Sequence, residues 1–376
     1  MTTITLKDIL TNENLKAFFK HSSQFFSHFP KTYLHFIKTT LLASKNCREF
    51  SFAKAIFSCH NCSHFTYRPV TCKSKFCSSC GKIYAEKWAH KLSSQLIDQK
   101  HKHIIFTLPK EIWNYPLIKR GLLSTFSDHI KTLFKNWFKK HDIHNFGLIV
   151  AIHTFSRDSS FHPHFHIILS LGGFKKNLAW KKLDFFPPKF FNNSWKYLVL
   201  RSISKAYPKC KKTKNIISLC YKKDFFINLK GDVLDNNPQI LKYIGRYLMR
   251  PAIAEHRIIK FENNQVTFWY IDVATKEKII LTLPLFKFIG RLILHINPKG
   301  FKAIRRYGFY ARNIKINLKT QIRSFFKKMV FLNIPLTWRE RIFKIYGKDP
   351  LICPNCFSEL KLTSFHHKKY GDLYYP

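Results

Sequence analysis

Acidic residues are scarce in this 376-residue chain, where 21 Asp and Glu stand against 65 Lys and Arg for a formal net charge of +44. An acidic, solvating protein is thereby excluded. No stretch approaches eighteen consecutive apolar residues, so the sequence offers no membrane span. The first twenty residues also lack a basic segment followed by a pure apolar run and a small-residue cleavage site, and a cytoplasmic location is expected. A G-x-x-x-x-G-K-[ST] loop is missing, which argues against a nucleotide cofactor. Internal repeats and long Gly/Ser linkers are missing too, and domain borders are correspondingly soft. What is present is core-forming material. Hydrophobic residues make up 45% and aromatics 16%, enough for two or three folded domains. A compact body carrying this much positive charge repels itself unless it meets a polyanion, and nucleic acid fits better than an anionic membrane surface.

Ten cysteines in a chain expected in the cytoplasm are poor disulfide candidates, and six of them crowd into positions 47 to 80. Cys59 and Cys62 form one C-x-x-C, Cys77 and Cys80 a second, with Cys72 between them. Two such knuckles suit a tetrahedral thiolate site, since each turns two sulfurs toward one ion. The expected occupant is a structural zinc, because four protein thiolates leave no open position. Spacing does not choose four among the five; His60 and His64 compete, and Cys47 reads as a bystander. Cys353 and Cys356 form half of a possible second zinc site, which His366 and His367 could complete or which could be a plain turn. Cys210 and Cys220 carry no readable function.

Residues 1–46 read as a helical pair, with Phe18, Phe25, Phe29, Tyr33 and Phe36 recurring at helical steps around Pro30. Positions 47–100 hold the cysteine block and an exit helix on which Tyr84, Trp88, Leu92 and Leu96 repeat every four residues. A strand is expected at 103–108, stopped by Pro109, and an amphipathic helix at 117–140. Strands at 148–155 and 164–170, joined by the polar turn 156–160, predict a hairpin. A lysine-rich stretch at 175–223 gives no clear assignment. Then come a helix at 239–250, strands at 265–272 and 278–283, and a helix at 285–295 leading into a basic, aromatic tail.

On the second hairpin strand, H-P-H-F-H at 162–166 places His164 and His166 on one face, with Phe165 and Ile167 on the other. Two imidazoles are thus offered to one ion; the bland alternative is a solvent-facing pair in a chain of nineteen histidines. If 155 pairs with 162, His153 stands opposite His164 and becomes a third ligand, whereas a one-residue slip turns it away. Downstream, Tyr243 and Tyr247 lie four apart on the expected helix, on one face about a turn from each other. Core packing is the usual reason for such a pair. Beside a metal-binding strand it becomes chemistry, because a divalent ion that grips a phosphodiester orients phosphorus for attack by an otherwise weak phenol nucleophile.

These residues resemble the HUH single-strand endonucleases, in which histidine, a bulky hydrophobic residue and histidine hold the metal. More narrowly, the chain resembles the rolling-circle, two-tyrosine transposases of the insertion-sequence 91 family, which carry an N-terminal zinc-binding domain. The match runs in the family's order from the cysteine block at 59–80 through F-T-L-P at 106–109, H-P-H-F-H and Y-I-G-R-Y at 243–247. It continues through F-I-G-R-L-I-L-H from Phe288, I-R-R-Y-G-F-Y-A from Ile304, and D-P-L-I-C-P-N-C ending at Cys356. Departures are Ser78, where relatives often have proline, and the unmatched 175–225 region.

The resemblance implies that His164 and His166 ligate Mg²⁺ or Mn²⁺ and that Tyr243 and Tyr247 are strand-transfer nucleophiles. It also implies an α+β fold, with an HUH-type antiparallel sheet and flanking helices. Four units are expected: 1–46 helical, 47–100 zinc-binding, 101–284 catalytic, and 285–376 a basic helical region. The implied activity is nicking and transfer of single-stranded or hairpin insertion-sequence ends through a 5′-phosphotyrosine. Arg246, between the phenols, is a candidate phosphate contact. Competing readings are a non-catalytic zinc-containing DNA-binding protein and an HUH replication initiator or relaxase, which would not be expected to carry this zinc block and tail. A transposase built on three carboxylates is disfavoured by the scarcity of acids.

Overall fold

The computed structural model describes residues 4–93, 96–97, 99–231, 233–234, 253–272, 274–311 and 336–374. The expected helix carrying Tyr243, Arg246 and Tyr247 lies outside the described residues. Among the described residues, three antiparallel sheets with helices against them give the α+β architecture that the sequence predicts.

The chain opens with helices Leu6–Ile9, Asn12–His21, Ser23–Phe26 and Lys31–Lys45. The Thr11 hydroxyl caps the second by accepting from the Asn14 N–H at 3.1 Å. Pro30 stands just ahead of Lys31, where an N–H would have no partner within the helix, so it starts that helix rather than breaking one. Strands β1 (Ala53–Cys59) and β2 (Phe65–Pro69) follow, then helix Ser78–Ser93 and β3 (His101–Thr107). Helix Gly121–Lys140 leads to the hairpin of β4 (Asn145–Phe155) and β5 (Phe161–Phe174) and to the short β6 (Trp180–Lys182). The lysine-rich stretch forms helices Pro188–Ala206 and Lys211–Tyr221, followed by β7 (Ile227–Asn228) and β8 (Val233–Leu234). Next are β9 (Ile258–Glu262), β10 (Gln265–Ile271), β11 (Lys278–Pro284), helix Leu285–Ile293 and β12 (Ile304–Gly308). Helix Trp338–Tyr346, β13 (Leu360–His367) and β14 (Gly371–Tyr374) complete the described chain. None of the described helices is long and apolar enough to cross a membrane.

The central sheet runs β12-β4-β5-β3-β7, with β6 on β5 and β8 on β3. The two-residue period sorts its side chains. Ile104, Phe106, Leu148, Val150, Ile152, Phe165, Ile167 and Leu169 face helices Gly121–Lys140 and Pro188–Ala206, where Phe126, Phe134, Phe138 and Trp195 are fully buried. Each such side chain contributes about 1.5–3 kcal/mol by leaving water. The alternate positions put His103, His153, His164 and His166 on the other face. The hydrophobic layer therefore fixes the plane on which the imidazoles stand.

The 285–376 region is not one tail. The apolar stripe Leu285, Phe288, Ile289, Leu292 and Ile293 must be covered, and it packs on Phe18, Tyr33, Ile37 and Leu41 of the first helices together with Phe268 of β10. The Tyr33 hydroxyl donates to the Ile296 carbonyl at 2.5 Å across this contact. β12 pairs instead with β4, and β13 with β1. Gly308 ends β12 at φ +62°, and a Cβ there would lie 1.7 Å from the Phe146 carbonyl oxygen, so the glycine of the I-R-R-Y-G motif is a steric requirement.

Candidate metal centres

The β4–β5 register sets His153 opposite His164 and Ala151 opposite His166. A bulge between His153 and Phe155 brings Phe155 opposite Phe161 rather than His162, and Pro163, which cannot donate to a ladder, sits within it. His153, His164 and His166 offer ring nitrogens that all lie within 4.8 Å of one another. The His164 and His166 Nε2 atoms are 3.1 Å apart. Adjacent ligands of an octahedral ion at 2.0–2.1 Å are separated by about 3.0 Å, so the pair spans one edge of such a site.

Hydrogen bonds orient both rings. His164 Nδ1–H donates to the His162 carbonyl at 2.8 Å, which leaves the Nε2 that faces His166 unprotonated. His166 Nδ1 is 3.0 Å from His103 Nε2 on β3. With His166 Nδ1 as donor, His103 performs for His166 the service that the carbonyl performs for His164. Sequence reading missed His103, because only the β3–β5 register, with His103 opposite Ile168, makes it a diagonal neighbour of His166. Desolvation holds His103 and His164 down to about 4 and, with the neighbouring His153, His164 and His103 rings, lowers His166 well below its ordinary value. The rings are neutral at physiological pH, the form that binds metal.

The turn after β4 is tied to the end of helix Leu285–Ile293. Arg291 donates to the Asp158 carbonyl at 2.9 Å and to its carboxylate at 3.1 Å. His295 Nε2–H donates to the Ser159 carbonyl at 3.0 Å, and its Nδ1 lies 3.1 Å from the Thr154 hydroxyl. The F-I-G-R-L-I-L-H motif thus contains two residues that position the hairpin.

The cysteines assemble differently from the expectation. Cys77 and Cys80 meet Cys47 and Cys72, while Cys59 and Cys62 meet Cys353 and Cys356. The two N-terminal C-x-x-C pairs do not share a site, because β1 runs about 20 Å between its ends at about 3.3 Å per residue. Cys47 lies before that strand and Cys59 at its end. Cys47 is no bystander: its sulfur is 3.6 Å from that of Cys80, and Cys72 is 3.7 Å from Cys80. In the other tetrad Cys59 is 3.3 Å from Cys356 and Cys62 is 3.5 Å from Cys353. A zinc–sulfur bond of 2.3 Å gives a tetrahedral edge of about 3.8 Å, so both tetrads have the size of a tetrathiolate site. The histidines suggested as ligands are engaged elsewhere. His366 Nδ1 is 2.6 Å from the Asp372 carboxylate, His367 packs on Phe52, and His64 Nδ1 is 3.3 Å from the Asn355 amide. His60 is outside both tetrads.

Residues 147–317 match the family model described as "Putative transposase", and residues 17–108 match "Transposase zinc-binding domain". The chain is 27% identical over 321 residues to "Transposase for insertion sequence element IS801" of Pseudomonas savastanoi pv. phaseolicola, covering 81% of this chain and 77% of that protein. It is 24% identical over 351 residues to "Putative transposase y4qJ" of Sinorhizobium fredii (strain NBRC 101917 / NGR234), covering 86% and 87%. No solved structure matches the chain. An antiparallel sheet bearing clustered imidazoles, beside a cysteine-built domain, and these matches together define a transposase with a zinc-binding domain. Both matches and the IS801 relative are what the chain's resemblance to the insertion-sequence 91 transposases leads one to expect. The zinc-binding-domain match and the cysteine tetrads support structural zinc.

Proposed function

We propose that this transposase nicks one DNA strand at an insertion-sequence end and carries it on a tyrosine before joining it to a target. The observation that carries this reading is the convergence of His153, His164 and His166 on one face of the β4–β5 hairpin. The three imidazoles fit a divalent ion in number, spacing and orientation, and an all-nitrogen donor set suits Mn²⁺ better than Mg²⁺. Such an ion supplies Lewis-acid stabilisation of charge on a non-bridging phosphate oxygen. His164 and His166 hold that position, and His162 and His103 fix the rings that do so.

Tyr243 or Tyr247 is the nucleophile. Its oxygen forms a bond to phosphorus while the bond from phosphorus to the 3′ oxygen breaks, and the departing oxygen takes up a proton as the phenol loses one. The products are a 5′-phosphotyrosine and a free 3′-OH. Because the phosphodiester is exchanged rather than hydrolysed, rejoining needs no nucleoside triphosphate. The other tyrosine accepts the strand in the next step, and Arg246, between them in sequence, contacts phosphate. Single-stranded or hairpin ends suit the chemistry, with lysines holding phosphates and exposed aromatics stacking bases.

The test uses labelled single-stranded oligonucleotides from the ends of the element that encodes the chain, with Mn²⁺ or Mg²⁺. A covalent protein–DNA adduct should form, vanish with EDTA, and fall at least about 10³-fold in the Tyr243→Phe/Tyr247→Phe double variant. Binding without any adduct would leave a non-catalytic zinc-containing DNA-binding protein. An adduct that persists in the double variant would move the nucleophile elsewhere.

A further inference from the structure

We propose that the chain holds a second structural zinc at Cys59, Cys62, Cys353 and Cys356, a site built from both ends of the sequence that clasps the C-terminal hairpin to the zinc-binding domain. The domain match ends at residue 108, so it contains every ligand of the first tetrad and only half of this one.

The two halves have the same backbone. Ser63 N–H donates to the Cys59 carbonyl at 3.0 Å, and Phe357 N–H donates to the Cys353 carbonyl at 3.1 Å. Cys59 N–H donates to the His64 carbonyl at 2.9 Å, and Cys353 N–H to the Ser358 carbonyl at 2.8 Å. In each case the residue after the second cysteine is left-handed, Ser63 at φ 53° and Phe357 at φ 61°. Phe357 is 77% exposed, so packing of its ring does not hold this uncommon conformation. Twin loops that each turn two sulfurs inward are what one tetrahedral ion requires of two C-x-x-C pairs. The short sulfur contacts, Cys59 to Cys356 and Cys62 to Cys353, run between the loops, as edges of one tetrahedron do.

Packing leaves room for such a staple. The sheet β14-β13-β1-β2 buries little around this end: Cys59, Cys353 and Leu360, with Phe57 and Cys356 part-buried beside them. β14 is exposed at all four positions, and Phe65 and Tyr67 of β2 are exposed as well. A hydrophobic cluster this small does not stabilise a four-stranded sheet in water, and a metal is the usual substitute. The ligands are 291 residues apart between Cys62 and Cys353. The site is therefore complete only once the 291 residues that separate its two halves have been made, and it fixes where the hairpin of β13 and β14 ends up.

The inference goes beyond the nicking reading and stands apart from it, since zinc content is measured without DNA. The purified full chain should contain two zinc ions by elemental analysis. Cys353→Ser/Cys356→Ser and Cys59→Ser/Cys62→Ser should each contain one, and the fourfold variant should still contain one, because both pairs serve the same ion. Cadmium-substituted wild type should show two tetrathiolate cadmium-113 resonances, a readout that needs no variant. Cys356→His, which keeps four tetrahedral donors, should retain two ions. One zinc and one resonance in the wild type would overturn the proposal, as would two zinc ions in Cys353→Ser/Cys356→Ser. A mass loss corresponding to Cys59–Cys356 and Cys62–Cys353 disulfides in the native protein would overturn it as well.

Discussion

A histidine earns a metal-binding role through what its second nitrogen touches, and here the two nitrogens can be followed ring by ring. His164 is set by a carbonyl two residues back in its own strand, a contact that any register preserves. His166 depends on His103 from another strand, across 3.0 Å. The proposed site is consequently vulnerable at His103, although His103 is not among the three clustered rings. His103→Ala should weaken Mn²⁺ binding by about 10–100-fold, the usual effect of removing a partner that orients a ligand. The check is an electron paramagnetic resonance titration of free Mn²⁺, with circular dichroism to confirm an unchanged fold. Wild-type affinity in that variant would make His103 an ordinary buried histidine. His153→Ala removes one of the three proposed ligands and should cost at least as much.

At the scale of elements, the decisive contact joins the hairpin turn to helix Leu285–Ile293. Burial alone would raise the Asp158 carboxyl, but hydrogen bonds from Ser156 and Ser160 and the charge of Arg291 bring it below its usual range. A depressed carboxylate stabilises the fold fully above the unfolded value near 4, and that contribution is lost as pH falls through the lower folded value. Arg291→Met should therefore destabilise by about 1–3 kcal/mol at neutral pH, with the difference from wild type shrinking in acid. Urea denaturation at pH 7 and pH 3 reads both. An equal penalty at the two pH values would mean that Arg291 acts by packing rather than by charge. The sequence discloses this arrangement only in part. The hairpin, the shared face of the histidines and the helical stripe from Leu285 follow from local period, since each side chain's face is set by its near neighbours. The partners of those elements do not. Cys47 reads as a bystander and Cys353 as half a site because their fellow ligands come from strand pairings, β1 with β13 above all, that join distant segments. That segments of 285–376 join three different partners, the first helices, β4 and β1, is illegible for the same reason.

The charge belongs to the whole molecule, yet it is not evenly spread. Between 175 and 223 thirteen lysines and Arg201 accompany a single acid, Asp184. Helices Pro188–Ala206 and Lys211–Tyr221 carry much of this segment, and their hydrophobic faces are used by the core beneath the central sheet. The cations consequently point away from that core, beside exposed Phe185, Phe190, Tyr197 and Tyr221. Phe226, 66% exposed, extends the series to the edge of the histidine-bearing strands, where its carbonyl accepts from Thr107 N–H at 3.1 Å and Thr107 stands opposite His164. A single strand laid along this surface would neutralise phosphates on lysines and stack bases on rings before reaching the imidazoles. Binding of a single-stranded oligonucleotide should then weaken steeply with salt. A footprint of six to ten phosphates gives a slope of about −4 to −7 in log K against log salt. Phe226→Ala should lower affinity by about 1–3 kcal/mol while leaving that slope unchanged, because it removes stacking and no charge. Fluorescence anisotropy across a salt series separates the two effects. A slope shallower than about −2, or a Phe226→Ala variant that binds like wild type, would show that DNA follows another path to the hairpin.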